Sequence, residues 1–397
     1  MIIPLFLFWG CIFLVFHSYV LYPILLQVFS IGKKSTDPAF NITDDNLPEV
    51  FVVMSVFNEE RVLLEKLESL FTTSYPHEKL HVFIGSDNSS DNTCEIVKSY
   101  DGGAIEKLFF QFEERNGKPK VLNKLVKIIF ERDIEPDSTV FIFTDANVIF
   151  TSATIFELVK QFKYENIGQV GANILNIGER NDGISQQETS YIKRENKMKY
   201  LEGLNWGAMI GAFGACYALR ASLWKYIPDD YQVEDFYLGM HVLSQNSKSK
   251  LEMKAICYED VSNDMLEEFR RKVRIQTGNF QNLREYWPLI FRFDAVAFCF
   301  FSHKVIRWLG PLFIVISYSS NVLLLSIHPF YVFTFVLQNL LLASPIIDKM
   351  VKQMGGHLTI LRFSAYFIMM NIALTKGFIM YLLGVKTSVW NPTKRNV

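Results

Sequence analysis

Polar side chains that could bind a metal ion and phosphate follow three separate apolar runs of the sequence. The first run ends at Asn58 and Glu60, the second ends at Asp87, and the third, FIFTDANVIF, is interrupted by Asp145 and Asn147. Each stretch alone would also suit a helix N-cap, because Asn, Ser and Asp are preferred there. A carboxylate with an oxygen-bearing partner two residues on can instead hold Mg²⁺ or Mn²⁺ against a diphosphate, since these cations prefer hard oxygen ligands. We therefore predict that Asp145 faces a metal ion bound to a nucleotide diphosphate.

The elements around these side chains alternate between apolar strands and amphipathic helices from about residue 49 to residue 290. This alternation, at spacings of about 30 residues, predicts βαβ units and a mostly parallel sheet with helices on both faces. In such a sheet ligands bind at the carboxyl ends of the strands, where the three polar stretches would meet. No P-loop motif and no GxGxxG after a strand is present, which argues against standard nucleotide folds. The predicted fold class is α/β.

Apolar segments flank this α/β region on both sides. Residues 4–30 carry no charged side chain and are followed, not preceded, by lysines, which predicts a retained transmembrane anchor rather than a signal peptide. Three further apolar runs cover residues 305–325, 330–347 and 361–384. The sequence thus predicts one N-terminal and about three C-terminal transmembrane helices.

Basic residues beside the apolar runs predict the orientation of the chain. They follow the first run and precede the second, so the positive-inside rule places residues 33–304 in the cytoplasm, and we expect a bacterial inner membrane. Four spans would leave Lys386, Lys394 and Arg395 outside, against that rule. Either the last run is re-entrant, or the stretch 293–302 also associates with the membrane, or the charge bias is weak here.

Composition bounds the class of protein. The formal net charge of the 397 residues is -1, so nothing indicates bulk nucleic-acid binding. The five cysteines form no CxxC pair, which is typical of free thiols in a cytosolic domain.

An ordered set of motifs resembles the membrane-bound family 2 glycosyltransferases, which have the GT-A nucleotide-sugar fold. SVFNEE resembles the opening strand motif, GSDNSSDNT resembles the D-x-S-x-D-x-T element, and NGKPKVLN resembles the GKxxALN stretch. TDAN stands at the DxD position, and GAFGACYALR resembles the glycine-rich acceptor-side segment. VEDF matches the ED motif, and RRKVRIQTGNFQ occupies the place of QxxRW. The order and spacing agree over about residues 49–285, and the flanking apolar runs fit as well.

The resemblance assigns roles to individual side chains. It implies that Asp87 contacts the nucleotide base, and that Asp145 and Asn147 bind the Mg²⁺ or Mn²⁺ ion. It also implies that Asp235, beside Glu234, is the general base. The other residues assigned to the nucleotide-sugar side are Asn58, Glu60, Lys118, Asn123, Arg271 and Arg274, and those assigned to the acceptor side are Gly211 and Gly214. Trp206 is a further acceptor-side candidate, because its ring could stack on a sugar.

The chemistry of sugar transfer agrees with these roles. The leaving diphosphate must be neutralised, which a metal ion and Arg274, helped by Arg271 and Lys118, would do. The acceptor hydroxyl needs a base, and a carboxylate such as Asp235 can take the proton. Direct attack on the anomeric carbon would invert its configuration.

Two positions depart from the family pattern. The second acid of DxD is the neutral Asn147, so metal binding would rest mainly on Asp145 and the diphosphate. Ile275 stands where the QxxRW motif has Trp, which removes an acceptor-stacking platform of processive synthases. This second departure argues against a long polymer as the product and leaves single addition to a lipid carrier open.

Structural explanations compete with several of these assignments. Glu234 and Asp235 could merely favour the macrodipole of a helix that begins there. The basic stretch before Ile275 could be a solvated or headgroup-facing helix. The glycines of residues 207–220 could pack against membrane helices, and Trp206 could belong to the core.

These observations lead to one prediction of organisation and function. The predicted parts are an N-terminal anchor at 1–32, a cytoplasmic GT-A domain at 49–285, an interfacial amphipathic segment at 286–304 and a membrane region at 305–390. The predicted activity is metal-dependent, inverting transfer of a hexosyl group from a nucleoside-diphosphate sugar to a saccharide or lipid-linked acceptor, in cell-surface or exopolysaccharide synthesis. Membrane lipid and polysaccharide-export proteins are the expected partners.

Three other classes of protein compete with this prediction. A catalytically inactive GT-A scaffold in a polysaccharide assembly complex is the main alternative. The apolar runs lack internal acids, which disfavours a transporter. A nucleotidyltransferase would not need the ED motif.

Overall fold

A single eight-stranded sheet forms the centre of the computed structural model, which describes residues 2–34, 38–178, 184–260, 264–356, 358–385 and 388–389. The strands are β1 (Glu49–Val56), β2 (Leu80–Ser86), β3 (Glu106–Gln111), β4 (Thr139–Thr144), β5 (Val148–Phe150), β6 (Ile167–Ile177), β7 (Cys216–Arg220) and β8 (Lys248–Asp260). Their order across the sheet is β3-β2-β1-β4-β7-β6-β8-β5. The pairs β3-β2, β2-β1, β1-β4 and β6-β8 are parallel, whereas β7 and β5 run antiparallel to their neighbours. The predicted α/β fold with a mostly parallel sheet is confirmed.

The parallel half of the sheet explains why the polar stretches meet. In the register, Val56 of β1 stands beside Ser86 of β2, and Val53 of β1 stands beside Phe143 of β4. The carboxyl ends of all three strands therefore lie at one edge. After the break that follows Thr144, the chain turns apolar again because it forms β5, a short strand that pairs with β8.

Helices cover both faces of the sheet. The helices before the membrane region are α1 (Ile2–Phe16), α2 (Tyr22–Phe29), α3 (Leu63–Phe71), α4 (Thr93–Ser99), α5 (Lys118–Phe130), α6 (Thr154–Val159), α7 (Ser185–Trp206), α8 (Glu234–Ser244) and α9 (Met265–Tyr286). The later ones are α10 (Ala295–Cys299), α11 (Ile306–Trp308), α12 (Gly310–Leu324), α13 (Pro329–Gln353) and α14 (Thr359–Leu382). Two core clusters lie on opposite faces, because alternate residues of β1 point to opposite sides.

Three helices in the described residues are long and apolar enough to cross a membrane. They are Ile2–Phe29, in which a π-helical segment joins α1 to α2, then Pro329–Gln353 and Thr359–Leu382. The basic helix α9 packs along α14, and α1 packs along α12. The part of the chain predicted to carry the arginines is thus held against the apolar helices.

The remaining predicted span, residues 305–325, is not one straight helix. The segments Ala295–Trp308 and Gly310–Leu324 meet at an angle of 64°, as a broken span or a re-entrant loop would. Pro311 explains the break, because proline lacks a backbone N–H and its ring obstructs the preceding turn. The predicted boundary at residue 304 falls inside this bent pair. Residues Lys386, Lys394 and Arg395, on which the orientation argument partly rested, lie outside the described residues.

Candidate active site

A cluster of acidic side chains lies at the sheet edge where β1, β2 and β4 end, and Lys118 is at its centre. Its ammonium donates to Asp145 Oδ1 at 2.7 Å and lies 2.6 Å from Glu234 Oε1. Lys118 is the first residue of α5, Asp145 follows β4, and Glu234 begins α8, so three distant stretches converge. Burial would lower the pKa of Lys118, but the charges of Asp145 and Glu234 outweigh it and raise this pKa above its usual value. The lysine is therefore a fixed cation between two carboxylates.

Asp235 lies beside this cluster, under the glycine-rich segment. A Cβ added to Gly214 would come within 3.0 Å of Asp235 Oδ2, and one added to Gly211 would come within 2.5 Å of the Phe236 ring. Gly211 also has a φ of +70°, which side chains disfavour. The two glycines thus let the backbone pass directly over the ED motif. Burial, followed by the charge of Glu234, raises the pKa of Asp235 to about 6.

The raised pKa of Asp235 predicts a pH dependence of activity. A general base accepts a proton only when it is ionised, so kcat/KM should fall as the pH drops through about 6. The negative charge of Glu234 helps to raise this pKa, so Glu234→Gln should move the acidic limb to lower pH, whatever it does to the maximal rate. A pH–rate profile of both proteins checks this. If the acidic limb of the pH–rate profile lay at the same pH in Glu234→Gln and in the wild type, the assignment of Asp235 as the general base would be contradicted.

The two arginines predicted at the site have different partners in the structure. Arg274 Nη1 donates to the carbonyl oxygen of Gln232 at 3.1 Å, and its guanidinium interacts electrostatically with Glu234 and Asp145. It therefore belongs to the cluster. Arg271 instead lies 3.4 Å from Glu268 and 3.8 Å from Glu188, in ion pairs with these two carboxylates.

Asp87 holds the loop that places Lys118. Its two carboxylate oxygens accept the backbone N–H groups of Asn116 at 2.6 Å and Gly117 at 3.0 Å. Gly117 has a φ of +83°, so the sharp entry into α5 requires glycine. Arg115 lies 3.4 Å from the same carboxylate. The contact between Asp87 and a nucleotide base stays a prediction.

Two residues predicted on the nucleotide-sugar side connect neighbouring loops. Asn58 Oδ1 accepts the Ser90 N–H at 2.8 Å, and Glu60 Oε2 accepts the Asn92 N–H at 3.1 Å. Both bonds join the loop after β1 to the loop after β2. These bonds hold the two loops together at the edge of the sheet.

Asn123 and Trp206 are placed away from the acidic cluster. Both amide atoms of Asn123 bond to the backbone of Ile227, at 2.8 and 3.0 Å, so the side chain is engaged in fixing a loop. The Trp206 ring packs edge-on against Phe29 at 5.5 Å and Phe298 at 6.0 Å between centroids. Trp206 therefore joins α7 to the N-terminal apolar helix, and its role on the acceptor side stays a prediction.

The side-chain oxygens at the DxD position suit a divalent cation whose coordination shell also contains phosphate oxygens. The Asp145 side chain is 37% exposed, and only its Oδ1 bonds to a residue within the described ranges, which leaves Oδ2 for a ligand. The Asn147 amide nitrogen donates to Glu259 Oε1 at 3.2 Å, which orients the amide. The described part of the chain contains no group of three His, Cys, Asp or Glu side chains arranged for a metal. Mg²⁺ and Mn²⁺ do not need one, since they bind through one or two carboxylates plus phosphates and water.

Lys66 holds the turn at the DxD position from inside the fold, and no sequence pattern distinguishes this lysine from others. Fully buried on α3, Lys66 donates to Thr144 Oγ1 at 3.0 Å and to the Val148 carbonyl oxygen at 2.6 Å. These bonds bracket residues 145–147. The ammonium also lies 3.5 Å from the centroid of the Phe150 ring. Lys66 therefore fixes the turn that presents Asp145.

Replacing Lys66 should disturb both stability and donor use. Lys66→Met leaves the Thr144 hydroxyl and the Val148 carbonyl buried without this donor, at about 1–3 kcal/mol for each group. We expect a lower thermal midpoint and a donor affinity reduced by about tenfold. Thermal denaturation and titration with nucleotide sugar measure the two effects. Lys98→Met, on the exposed face of α4, is the matched control; equal behaviour of the two variants would refute the role of Lys66.

Comparisons with known proteins agree with this architecture. Residues 51–227 match the family model described as Glycosyl transferase family 2, which spans β1 to the segment before α8. The mannosyltransferase PcManGT from Pyrobaculum calidifontis, solved with GDP-Man and Mn²⁺, has a similar fold. Its TM-score is 0.69 at 16% identity, over 95% of this chain and 99% of that chain.

Similar curated proteins include sugar transferases of two bacteria. The chain is 23% identical over 293 residues to the poly-beta-1,6-N-acetyl-D-glucosamine synthase of Staphylococcus epidermidis, covering 70% of this chain and 68% of that protein. It is 26% identical over 168 residues to the beta-monoglucosyldiacylglycerol synthase of Trichormus variabilis, over 41% of this chain and 33% of that protein. Residues 51–227 thus carry a glycosyl transferase family 2 domain with the GT-A fold, and the chain is similar to polysaccharide synthases.

Proposed function

We propose that this protein is a metal-dependent, inverting glycosyltransferase. It moves a hexosyl group from a nucleoside-diphosphate sugar to a hydroxyl of a saccharide or lipid-linked acceptor at a membrane. The observation that carries the proposal is the bridge of Lys118 between Asp145 and Glu234, with Asp235 and Arg274 beside it. An inactive scaffold would have no need to retain this costly buried arrangement of charges.

The donor side neutralises the leaving diphosphate. Lys118 and Arg274 are fixed cations on one side of the Asp145 carboxylate, so their charge is in position before the reaction begins. A divalent cation held by Asp145 and Asn147 would supply further neutralisation of the diphosphate. The Mn²⁺ in the PcManGT complex supports this assignment by analogy of fold.

The acceptor side activates the attacking hydroxyl. Asp235 takes the hydroxyl proton while the acceptor oxygen forms its bond to the anomeric carbon. The bond from that carbon to the diphosphate oxygen breaks, and the electron pair leaves with the diphosphate. Because the acceptor replaces the diphosphate from the opposite face, a single displacement inverts the configuration.

The cellular setting is part of the proposal. The apolar helices Ile2–Phe29, Pro329–Gln353 and Thr359–Leu382 would anchor the catalytic domain on the cytoplasmic side of a bacterial inner membrane. The similarity to a poly-N-acetylglucosamine synthase supports a role in cell-surface polysaccharide synthesis. Membrane lipid and export proteins would then be the partners.

The experiment that tests this function uses the full-length protein in detergent or nanodiscs. It is incubated with a panel of UDP- and GDP-sugars, with Mn²⁺ or Mg²⁺ present or chelated, and nucleotide release is measured. We expect one donor to release nucleoside diphosphate only when the metal is present. Absence of both turnover and binding for every donor would favour the inactive scaffold.

A further inference from the structure

Lys199, on α7, is a buried cation that the proposed reaction does not use. Its side chain is 3% exposed, and its ammonium lies 3.3 Å from the centroid of the Phe213 ring. Within the described residues, Lys199 makes no hydrogen bond or ion pair. A buried charge is costly unless it is paired, so a lysine at this position keeps its proton most readily when an anion lies beside it.

The carboxylates near Lys199 are already occupied by other groups. Glu195, one turn away on α7, lies 2.6 Å from Arg307, 2.9 Å from Lys304 and 3.0 Å from His303. All of these contacts are at the junction between α7 and the bent helix pair. Glu195 is therefore shared among several donors and is not a dedicated partner for Lys199.

Glu202, the next carboxylate along α7, is occupied in the same way. Its Oε1 accepts the Tyr22 hydroxyl at 2.6 Å and lies 2.6 Å from the His303 ring, while its Oε2 accepts the Ile210 N–H at 3.0 Å. Neither Glu195 nor Glu202 is therefore a dedicated partner of Lys199, and Lys304 adds positive charge to the field at Lys199.

The unpaired cation lies on the acceptor side of the general base. Phe213, which its ammonium contacts, directly precedes Gly214, whose Cβ position is 3.0 Å from Asp235 Oδ2. Lys199 interacts electrostatically with Asp235, as Lys118 does, but Lys118 is also paired with Asp145 and Glu234. Lys118 is therefore held by two carboxylates, whereas Lys199 has no such ion pair within the described residues.

The protonation of Lys199 suits reversible anion binding. Burial, followed by the charge of Lys304, lowers the pKa of Lys199 to about 7. An anion beside the ammonium would raise this pKa and hold the lysine in its charged form.

We propose that Lys199, supported by Lys304, forms a subsite for an anionic group of the acceptor, a phosphate ester or a carboxylate, next to the base Asp235. This inference rests on the proposed function and specifies its acceptor class. The position between the glycine-rich segment and the bent helix pair suits two sources of that charge. One is the phosphate of a lipid-linked acceptor, and the other is a carboxylate on the sugar that receives the transfer.

Direct binding tests the subsite without requiring turnover. Two matched pairs of probes are titrated into the protein in nanodiscs: a polyprenyl phosphate against the neutral polyprenol, and a glucuronate-ended disaccharide against its glucose-ended counterpart. We expect one charged probe to bind about tenfold or more tightly than its neutral partner, as a hydrogen bond to a charged group would give. The pair that shows the preference identifies the source of the charge.

Variants test whether the preference for the charged probe depends on Lys199. Lys199→Met should abolish the preference for the charged probe, and Lys199→Arg should restore most of it. Lys197→Met, on the exposed face of the same helix, should keep the preference intact. A wild-type protein with no preference in either pair, or a preference that survives in Lys199→Met, would overturn the subsite. Nucleotide release from the donor panel reports separately on the proposed function, so either proposal can fail while the other stands.

Discussion

Asp235→Asn is expected to lower sugar transfer by about 10²–10⁴-fold, because the amide cannot accept the proton of the acceptor hydroxyl. Donor affinity should change little, since Lys118 and Arg274 remain in place on the nucleotide side. The two effects are separated by single-turnover transfer and by titration with the nucleotide sugar. The structural reason is that Asp235 lies against Gly214, in the glycine-rich segment that we propose for the acceptor side.

The matched control for this variant is Asp137→Asn. Asp137 is exposed in the connection before β4, far from the strand ends that form the site. The Asp137→Asn protein should transfer sugar at the wild-type rate. If Asp235→Asn also transferred at that rate, the base would have to be another group, and the assignment of the ED motif would fail.

Lys118→Met is expected to damage the fold and donor binding together. Removal of the ammonium leaves the carboxylates of Asp145 and Glu234 without the cation between them. Breaking a fully buried ion pair costs about 3–5 kcal/mol, and the partial exposure of Asp145 reduces that cost here. We expect the thermal midpoint to fall by about 5–10 °C and measurable donor binding to disappear. Differential scanning fluorimetry and calorimetric titration measure the two effects.

A double variant separates the effect of charge repulsion on stability from the loss of donor binding. In Lys118→Met combined with Asp145→Asn, one of the two facing charges is gone, so the thermal midpoint should recover in part while donor binding stays absent. Lys127→Met, on the exposed face of the same helix, is the control and should resemble the wild type. A stable Lys118→Met protein that binds the donor normally would contradict the central role of this lysine.

The sheet and the position of the site follow from patterns that a sequence displays locally. The apolar runs of β1 and β4 are buried on both faces, and such runs identify parallel strands directly. Since parallel strands end at a common edge, Asp87 and Asp145 could be predicted to lie near each other. The ED motif could be added only through the resemblance to a family, because α8 follows an antiparallel part of the sheet.

The supporting cations could not be predicted in this way. Lys66 and Lys199 each occur in a helix with polar neighbours, where a lysine usually reaches solvent. Lys66 is buried because Thr144 and Val148, far along the chain, supply its acceptors. Lys199 is buried against the ring of Phe213, which belongs to the glycine-rich segment that follows α7. Both depend on long-range contacts that no local period encodes.

Two assigned side chains have structural partners that the motifs did not reveal. Asn123 bonds to the backbone of Ile227, and Trp206 packs against the N-terminal apolar helix, so their predicted ligand contacts stay predictions. A motif fixes which residue types occur together, but the packing of neighbouring elements decides where each side chain points. The bend near Pro311 is a similar case, since hydropathy measures the length of an apolar run and not its direction.

A single diffraction experiment locates the metal and the nucleotide together. Crystals of the protein grown with Mn²⁺ and a nucleoside diphosphate would be measured for anomalous scattering at the manganese edge. We expect one peak at the Asp145 carboxylate, with the diphosphate directed towards Lys118 and Arg274, and no such peak in Asp145→Ala. A nucleotide bound away from the carboxyl ends of β1 and β4, or a manganese peak that survives in Asp145→Ala, would contradict the proposed donor site.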